Sequence, residues 1–282
     1  MYPRTLPYLL LLPAAIILCV FFLYPFLLVA WQAMFTDNGE FTSKYFAEMV
    51  GHWKFKSALT NTLLLALFVV PIQTALALYM ATLVTCMKKG RDIFLYIWTI
   101  PLGISDLAAG IIWLAIFDQT GFLNSLMHTL GFIDQPTTFL GYQSKTTIFV
   151  AIMLAEVWRA TAIMLVILVA GMGLIPKEYY ECAEVFGATR WKQFTRITLP
   201  LLKPSLQTAL ILRVILAFEV FAVVATLGGT NLPVLMGEIY TWQFDLRDGH
   251  VAAAYALVVL GISILCTLII MWTLRTPKEA RV

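Results

Sequence analysis

The stretch IPKEYYECAEVFGATRWKQFTRITLP, residues 175–200, stands between two long apolar runs and does not read as a plain connector. Pro176 suits a helix start, where its missing N–H costs nothing. Tyr179, Cys182, Ala183 and Phe186 follow at i, i+3, i+4 and i+7 as one apolar stripe, with Lys177, Glu181 and Glu184 on a separate polar face. Gly187 falls where a left-handed residue would close that helix. Trp191 and Phe194, three apart, mark a second short helix, and Pro200 is expected to reset the chain before the next apolar run. A lipid-facing amphipathic element would carry mostly Lys and Arg on its polar side. Mixed Glu and Lys suit a groove in another protein.

Outward from this elbow the chain is apolar: 61% of its residues are hydrophobic and 12% charged, with a mean hydropathy of +0.86. Water is therefore not its main solvent. Six runs, 6–34, 58–87, 93–117, 146–174, 205–227 and 251–274, each reach about the 20 residues that cross a hydrocarbon core. The first lacks a small-residue cleavage pattern followed by a polar mature region, so it reads as a helix and not as a signal peptide. The fold class is an all-α membrane protein with six transmembrane helices.

Positive charge sets the orientation. With both termini inside, Arg4, Lys88, Lys89, Arg91, Lys177, Arg190, Lys192, Arg196, Lys203, Arg275, Lys278 and Arg281 are cytoplasmic. Lys44, Lys54, Lys56, Lys145 and Arg247 are outside, together with half of the acidic residues. The expectation is a multi-pass protein of the inner membrane, a single domain over 1–282. Segment 41–57, which mixes Tyr45, Phe46, Trp53 and Phe55 with charge, reads as an outer interfacial helix or a solvated linker. No loop is long enough for a soluble catalytic or ligand-capturing domain, so energy source and capture must come from other chains.

The spacing Glu181-Cys182-Ala183, three residues, Gly187, nine residues, Ile197-Thr198-Leu199-Pro200 resembles the EAA loop of ABC importer permeases, with Cys182 in place of the first alanine. In that family the loop is a coupling helix that docks into a cleft of the ATPase subunit. The resemblance therefore implies coupling roles for Glu181, Cys182, Ala183, Gly187, Ile197, Leu199 and Pro200, and implies the type I importer permease fold. It extends along most of the chain towards the carbohydrate-uptake branch, the maltose and glycerol-3-phosphate type. The stretch Leu59 to Leu63 looks like that branch's second core helix; Pro101 to Trp113, Phe117, Gly121, Asn124 and Gly131 look like its third helix and outer loop. Arg213, Phe218, Phe221, Thr226, Gly228, Gly229 and Tyr240 resemble the fifth helix and its outer loop in the first of two paired permeases. Implied partners are a second homologous permease in a heterodimer, two ATPase subunits that bind ATP and Mg, an extracytoplasmic solute-binding protein and membrane lipid. Two departures stand out. Phe186 replaces the Asp often found before the Gly, and Trp158-Arg159-Ala160-Thr161 lacks the usual Pro; the outer domain and extra leading helices of the classical maltose permease are also missing.

Asp106, Glu156, Arg159, Arg213 and Glu219 fall in or near apolar runs, where an unpaired charge costs at least about 2.5 kcal/mol. Glu156 and Arg159 share a helix face and are expected either to neutralise each other or to line a polar path or contact the second permease. Arg213 and Glu219, six apart, point in different directions. Phe218 beside Glu219 offers a flat apolar face next to a hydrogen-bond acceptor, the two things a sugar needs. Phe218, Glu219, Arg213, Glu156 and Arg159 are the candidate path residues, and aromatics at such spacing also serve as helix or lipid contacts. Gly103, Gly110, Gly171 and Gly173 are candidates for close helix packing.

Other chemistries find no support. No phosphate-binding G-x-x-x-x-G-K-[ST] occurs, so the chain is expected to hold no nucleotide itself. His52, His128 and His250 lack zinc spacing and read as lone surface histidines; the four cysteines show neither metal spacing nor a disulfide framework. No basic tract suggests nucleic acid. An ion-gradient transporter, with Asp106 and Glu156 as proton carriers, is the alternative in another class, but no internal repeat supports it. A membrane enzyme would need a polar catalytic set at one depth, and none is evident.

Overall fold

The computed structural model describes residues 6–274, so Arg4, Arg275, Lys278, Glu279 and Arg281 lie outside the described residues. The helices are α1 (Leu6–Leu18), α2 (Tyr24–Met34), α3 (Lys44–Gly51), α4 (Phe55–Cys86), α5 (Arg91–Thr99), α6 (Asp106–Phe117) and α7 (Phe122–Thr129). They continue as α8 (Lys145–Gly173), α9 (Lys177–Val185), α10 (Arg190–Gln193), α11 (Leu199–Phe218), α12 (Ala222–Leu227), α13 (Leu235–Tyr240) and α14 (Gly249–Thr273). Among the described residues there is no β-strand beyond one isolated bridge, Phe35 with Phe41. Among the described residues, six stretches are long and apolar enough to cross a membrane, and the first, second, fourth and sixth fall within a few residues of the apolar runs.

Prolines shape the spans in ways the hydropathy pattern does not reveal. Two π-helical turns, Cys19–Leu23 and Phe194–Thr198, each end two residues before a proline, Pro25 and Pro200. The wider turn makes room for a ring that would otherwise strike the carbonyl four residues back. The helix therefore runs through Pro200 and also through Pro204, so the fifth candidate span is Arg190–Phe218. The expected reset at Pro200 does not occur. At the other end, the expected span to residue 227 is interrupted: Glu219 to Phe221 leave the helix before α12.

The third run is broken as well. Pro101 ends α5 in a 3₁₀ turn over Ile100–Gly103, and Ser105 caps α6 by accepting from the Ala108 N–H at 3.2 Å. Length and apolarity alone pick out Asp106–Thr129. That stretch contains Asp118, Gln119 and Thr120, all exposed, whereas residues 100–104 between α5 and α6 are apolar. Twelve residues of α6 rise only about 18 Å, so a crossing that avoids the polar turn uses α5 and α6 as two halves.

The chain divides into two compact units. In the first, residues 6–56 with Leu235–Gly261, no residue of the apolar window in Leu9–Met34 is buried. Its polar centre involves two histidines that are not lone. The ring of His250 stacks on Tyr45 at 4.4 Å and reaches the Gln32 carbonyl (2.7 Å) and Asp37 (3.1 Å). His52 packs edge-on to Trp242 and lies 3.7 Å from the buried Glu238. The segment at 41–57 does contain a helix, α3, with Met49 inward and Trp53 exposed beneath the Lys54 ammonium.

In the second unit, Ser57–Val234 with the end of α14, α8 is the central post. One apolar cluster joins Leu65 and Val69 of α4, Ile148 to Ala155 of α8, and Val223 to Leu227 of α12. The other joins Ala77 to Val84 of α4, Met164 to Leu168 of α8, and Leu202 to Ala209 of α11. Small residues let the helices approach. A Cβ on Gly110 would meet Thr226 Oγ1 at 2.0 Å, and one on Gly171 would meet Ser205 Oγ at 2.3 Å, whereas Gly103 and Gly173 have nothing within 4 Å.

Candidate coupling loop and buried ionic network

The elbow at 175–200 is a helix, a left-handed turn and a second helix. Helix α9 follows Pro176 directly and ends in two bonds from beyond its terminus. The Gly187 N–H donates to the Glu184 carbonyl and the Ala188 N–H to the Ala183 carbonyl, each at 2.9 Å, with Gly187 at φ +71°. This pairing satisfies end carbonyls and needs a positive φ at the glycine. Thr189 then caps α10, accepting from the Lys192 N–H at 3.4 Å, and Trp191 stacks with Phe194 at 5.8 Å. A hydroxyl pair, Tyr180 with Thr198 at 2.9 Å, ties α9 to the root of α11.

What the elbow presents is apolar. Val185 and Phe186 are 85% and 84% exposed, Trp191 and Tyr179 are also exposed, and α9 has no buried residue. Glu181, Cys182, Gly187 and Pro200 are exposed, and Ala183, Ile197 and Leu199 are half-buried. Exposed aromatic and branched side chains at a charged helix tip leave an apolar face that the described residues do not cover.

The second feature lies in the second unit, at positions of α4, α8 and α11 that fall between its two apolar clusters. Arg213 (0% exposed) donates through Nη2 to Glu156 Oε2 at 3.0 Å and through Nε to Gln73 Oε1. Gln73 Nε2 in turn donates to the Glu156 backbone carbonyl at 2.7 Å. Glu156, 1% exposed, also faces Arg159 at 3.5 Å, and Arg159 holds Asp106 at 2.8 Å. Two cations and two carboxylates thus form one neutral chain across α4, α6, α8 and α11. Arg213 Nη1 and Arg159 Nε remain buried without a hydrogen-bond partner. A lone charge there would be prohibitive in hydrocarbon, and pairing is what makes burial tolerable.

The structure brings together three of the candidate path residues, Arg213, Glu156 and Arg159, and separates them from the other two. Phe218 is buried at the end of α11, while Glu219, in the break before α12, is exposed. Sequence spacing exposed the Glu156–Arg159 proximity but not the Arg213–Glu156 pair, whose members are 57 residues apart, nor the role of Gln73. A buried glutamine inside an apolar run was the available signal. No group of three or more His, Cys, Asp or Glu residues converges among the described residues.

Comparison with known proteins then decides the class. A family model described as "binding-protein-dependent transport system inner membrane component" matches residues 73–275, which takes in both the elbow and the network. The chain belongs to this family. This permease is 31% identical, over 97% of its length and 91% of the other's, to a sulfoquinovosyl glycerol transport system permease protein of Agrobacterium fabrum. It is 32% identical to a trehalose/maltose transport system permease protein of Thermococcus litoralis, covering 79% of this chain and 77% of that one. An arabinooligosaccharides transport system permease protein of Bacillus subtilis is 30% identical over 94% of this chain and 87% of its own. The permease also shares its fold with a chain of a bacterial ABC transporter involved in the import of alginate, with a TM-score of 0.81, 24% identity and coverage of 96% and 95%. It is thus a multi-pass inner-membrane permease of the type I ABC importer fold, and the ion-gradient alternative is displaced.

Proposed function

We propose that this permease forms half of the translocation path for a sugar or a related polyol or glycerol-phosphate solute and is driven by ATP hydrolysed elsewhere. A second homologous permease supplies the other half. Two ATPase subunits bind ATP and Mg and dock on the elbow, an extracytoplasmic binding protein delivers the solute, and both termini are cytoplasmic. The carbohydrate class is supported by what the relatives are named for, sulfoquinovosyl glycerol, trehalose, maltose and arabinooligosaccharides.

The observation that carries the coupling reading is the uncovered apolar tip Val185–Phe186, set by Gly187 and rooted in α11 through Tyr180. Burying an exposed phenylalanine contributes about 1.5 to 3 kcal/mol to seating the helix in a groove, and Glu181 adds a charged contact. Cys182 and Ala183 keep the docking face small, and Ile197, Leu199 and Pro200 carry the push into α11. The path reading rests on Glu219 with Phe218 at the helix break, where an exposed carboxylate offers acceptors to a hydroxyl-rich solute. Arg213, Glu156 and Arg159, joined in the network, are the further candidates for lining the path.

Cys182 supplies the test. It is a free, exposed thiol on α9, and Cys86, also exposed, is the internal control. A polar maleimide is expected to label both in the isolated permease, and to label Cys86 but not Cys182 once the ATPase subunits are assembled. Equal labelling of Cys182 in both states would remove the docking assignment.

A further inference from the structure

The network described above has one half-exposed end. Asp106 is the first residue of α6, directly after the 3₁₀ break at Ile100–Gly103, and its side chain is 47% exposed, while Arg213, Glu156 and Gln73 at the other end are fully buried. Helix α6 packs closely on α12, Gly110 against Thr226, and α12 likewise begins after a break, at Glu219–Phe221. Two short half-helices, each hinged at its start, therefore form one packed pair. Breaks of this kind are where backbone angles change during domain motion.

We propose that Asp106 and Arg159 are positioning residues for the transport step: their ion pair is a latch that holds the start of α6 against α8, while α12 stays in the apolar cluster with α8, and Arg159 releases it by transferring to Glu156. The geometry makes the exchange cheap. Arg159 already has Glu156 at 3.5 Å as a second partner, so leaving Asp106 does not strand a cation in the apolar interior. Asp106, half-exposed at the N-terminus of α6, keeps the favourable end of the helix dipole and meets water when released. Glu156 is neutralised independently by Arg213, 3.0 Å away. Only the 2.8 Å bond between Arg159 and Asp106 opens. Such a device has two discrete arrangements of similar energy, and a partner that binds one of them, here the ATPase closing on ATP, shifts the balance.

The inference rests on the ATP-driven reading, and the experiment separates the two. The complete transporter, permease pair with ATPases in proteoliposomes, is assayed for ATP hydrolysis and solute uptake with D106N, R159Q and the D106N/R159Q double variant. If the wild-type complex shows no ATP-dependent uptake, the transport reading itself fails. If it does, D106N is expected to raise hydrolysis in the absence of binding protein and solute about fivefold, the release of a half-exposed ion pair worth about 1 kcal/mol. Solute-dependent stimulation should shrink to match. R159Q should act in the same direction, and the double variant should be no worse than the more affected single, since both remove one interaction. A merely structural pair would lower the amount of assembled complex without raising futile hydrolysis. Wild-type basal and stimulated rates in D106N, or fully additive effects in the double variant, overturn the latch.

Discussion

Substitution at Gly187 isolates backbone conformation from every other property of the elbow. At φ +71° an L residue costs about 1 to 2 kcal/mol, and a β-branched one more, about 2 to 3 kcal/mol. Sterics do not contribute, because a Cβ at this position would meet nothing within 4 Å. The Gly187 and Ala188 N–H bonds to the α9 carbonyls are lost if the residue swings to negative φ, so α9 is then re-aimed relative to α10. The fraction of permease with a correctly bent elbow should therefore fall by about fivefold for G187A and about 30-fold or more for G187V. Asparagine tolerates the left-handed region better, and G187N should fall least. The assay is ATP-dependent solute uptake by the assembled transporter, with the amount in the membrane followed by immunoblot and Cys182 protection reporting docking. Ordered loss, Asn least and Val most, at constant membrane amount is the expected result. Wild-type uptake by G187V, or equal loss in all three variants, would refute the conformational explanation.

Removing Arg213 leaves Glu156 to share Arg159 and orphans Gln73 Oε1, so R213M should lower thermal stability in detergent by about 3 to 5 kcal/mol; R213M/E156L, which removes both charges, should recover part of it in the same melt. G110A forces a Cβ onto Thr226 and should cost about 1 to 3 kcal/mol, and G110A/T226A should recover most of that loss, as read from unfolding midpoints. In the outer cluster, burial pushes the Glu238 carboxyl above its ordinary value of 4.5, against the pull of Lys54 and His52. A carboxyl that binds its proton more tightly when folded weakens the fold as pH rises through and above that ordinary value. E238Q should therefore melt higher than wild type at neutral pH, with the advantage vanishing on acidification below about 4.5; an advantage independent of pH would contradict the burial argument.

The parts of this permease that were legible in the sequence are those set by local rules. Gly187 announced itself because a left-handed helix end has a strong residue preference, and four of the spans were bounded within a few residues by hydropathy alone. Pro200 misled for the same reason that Gly187 informed: the local rule says that proline stops a helix, and nothing local reveals that a π turn one step earlier has already made room for it. The breaks at Ile100–Gly103 and before α12 escape hydropathy because both flanks are apolar. Pairing across the chain is harder still. Glu156 could be matched to Arg159 by helical spacing, but its tighter partner, Arg213, is 57 residues away, and the assignment of Asp106 to Arg159 required knowing which helices touch. The charges at the heart of the second unit are therefore the least readable residues in isolation, and the most constrained once folded. In hydrocarbon each must be answered by a specific counter-charge, so the positions of α4, α6, α8 and α11 are fixed by chemistry where shape alone, among interchangeable Leu, Ile and Val, would allow them to slide.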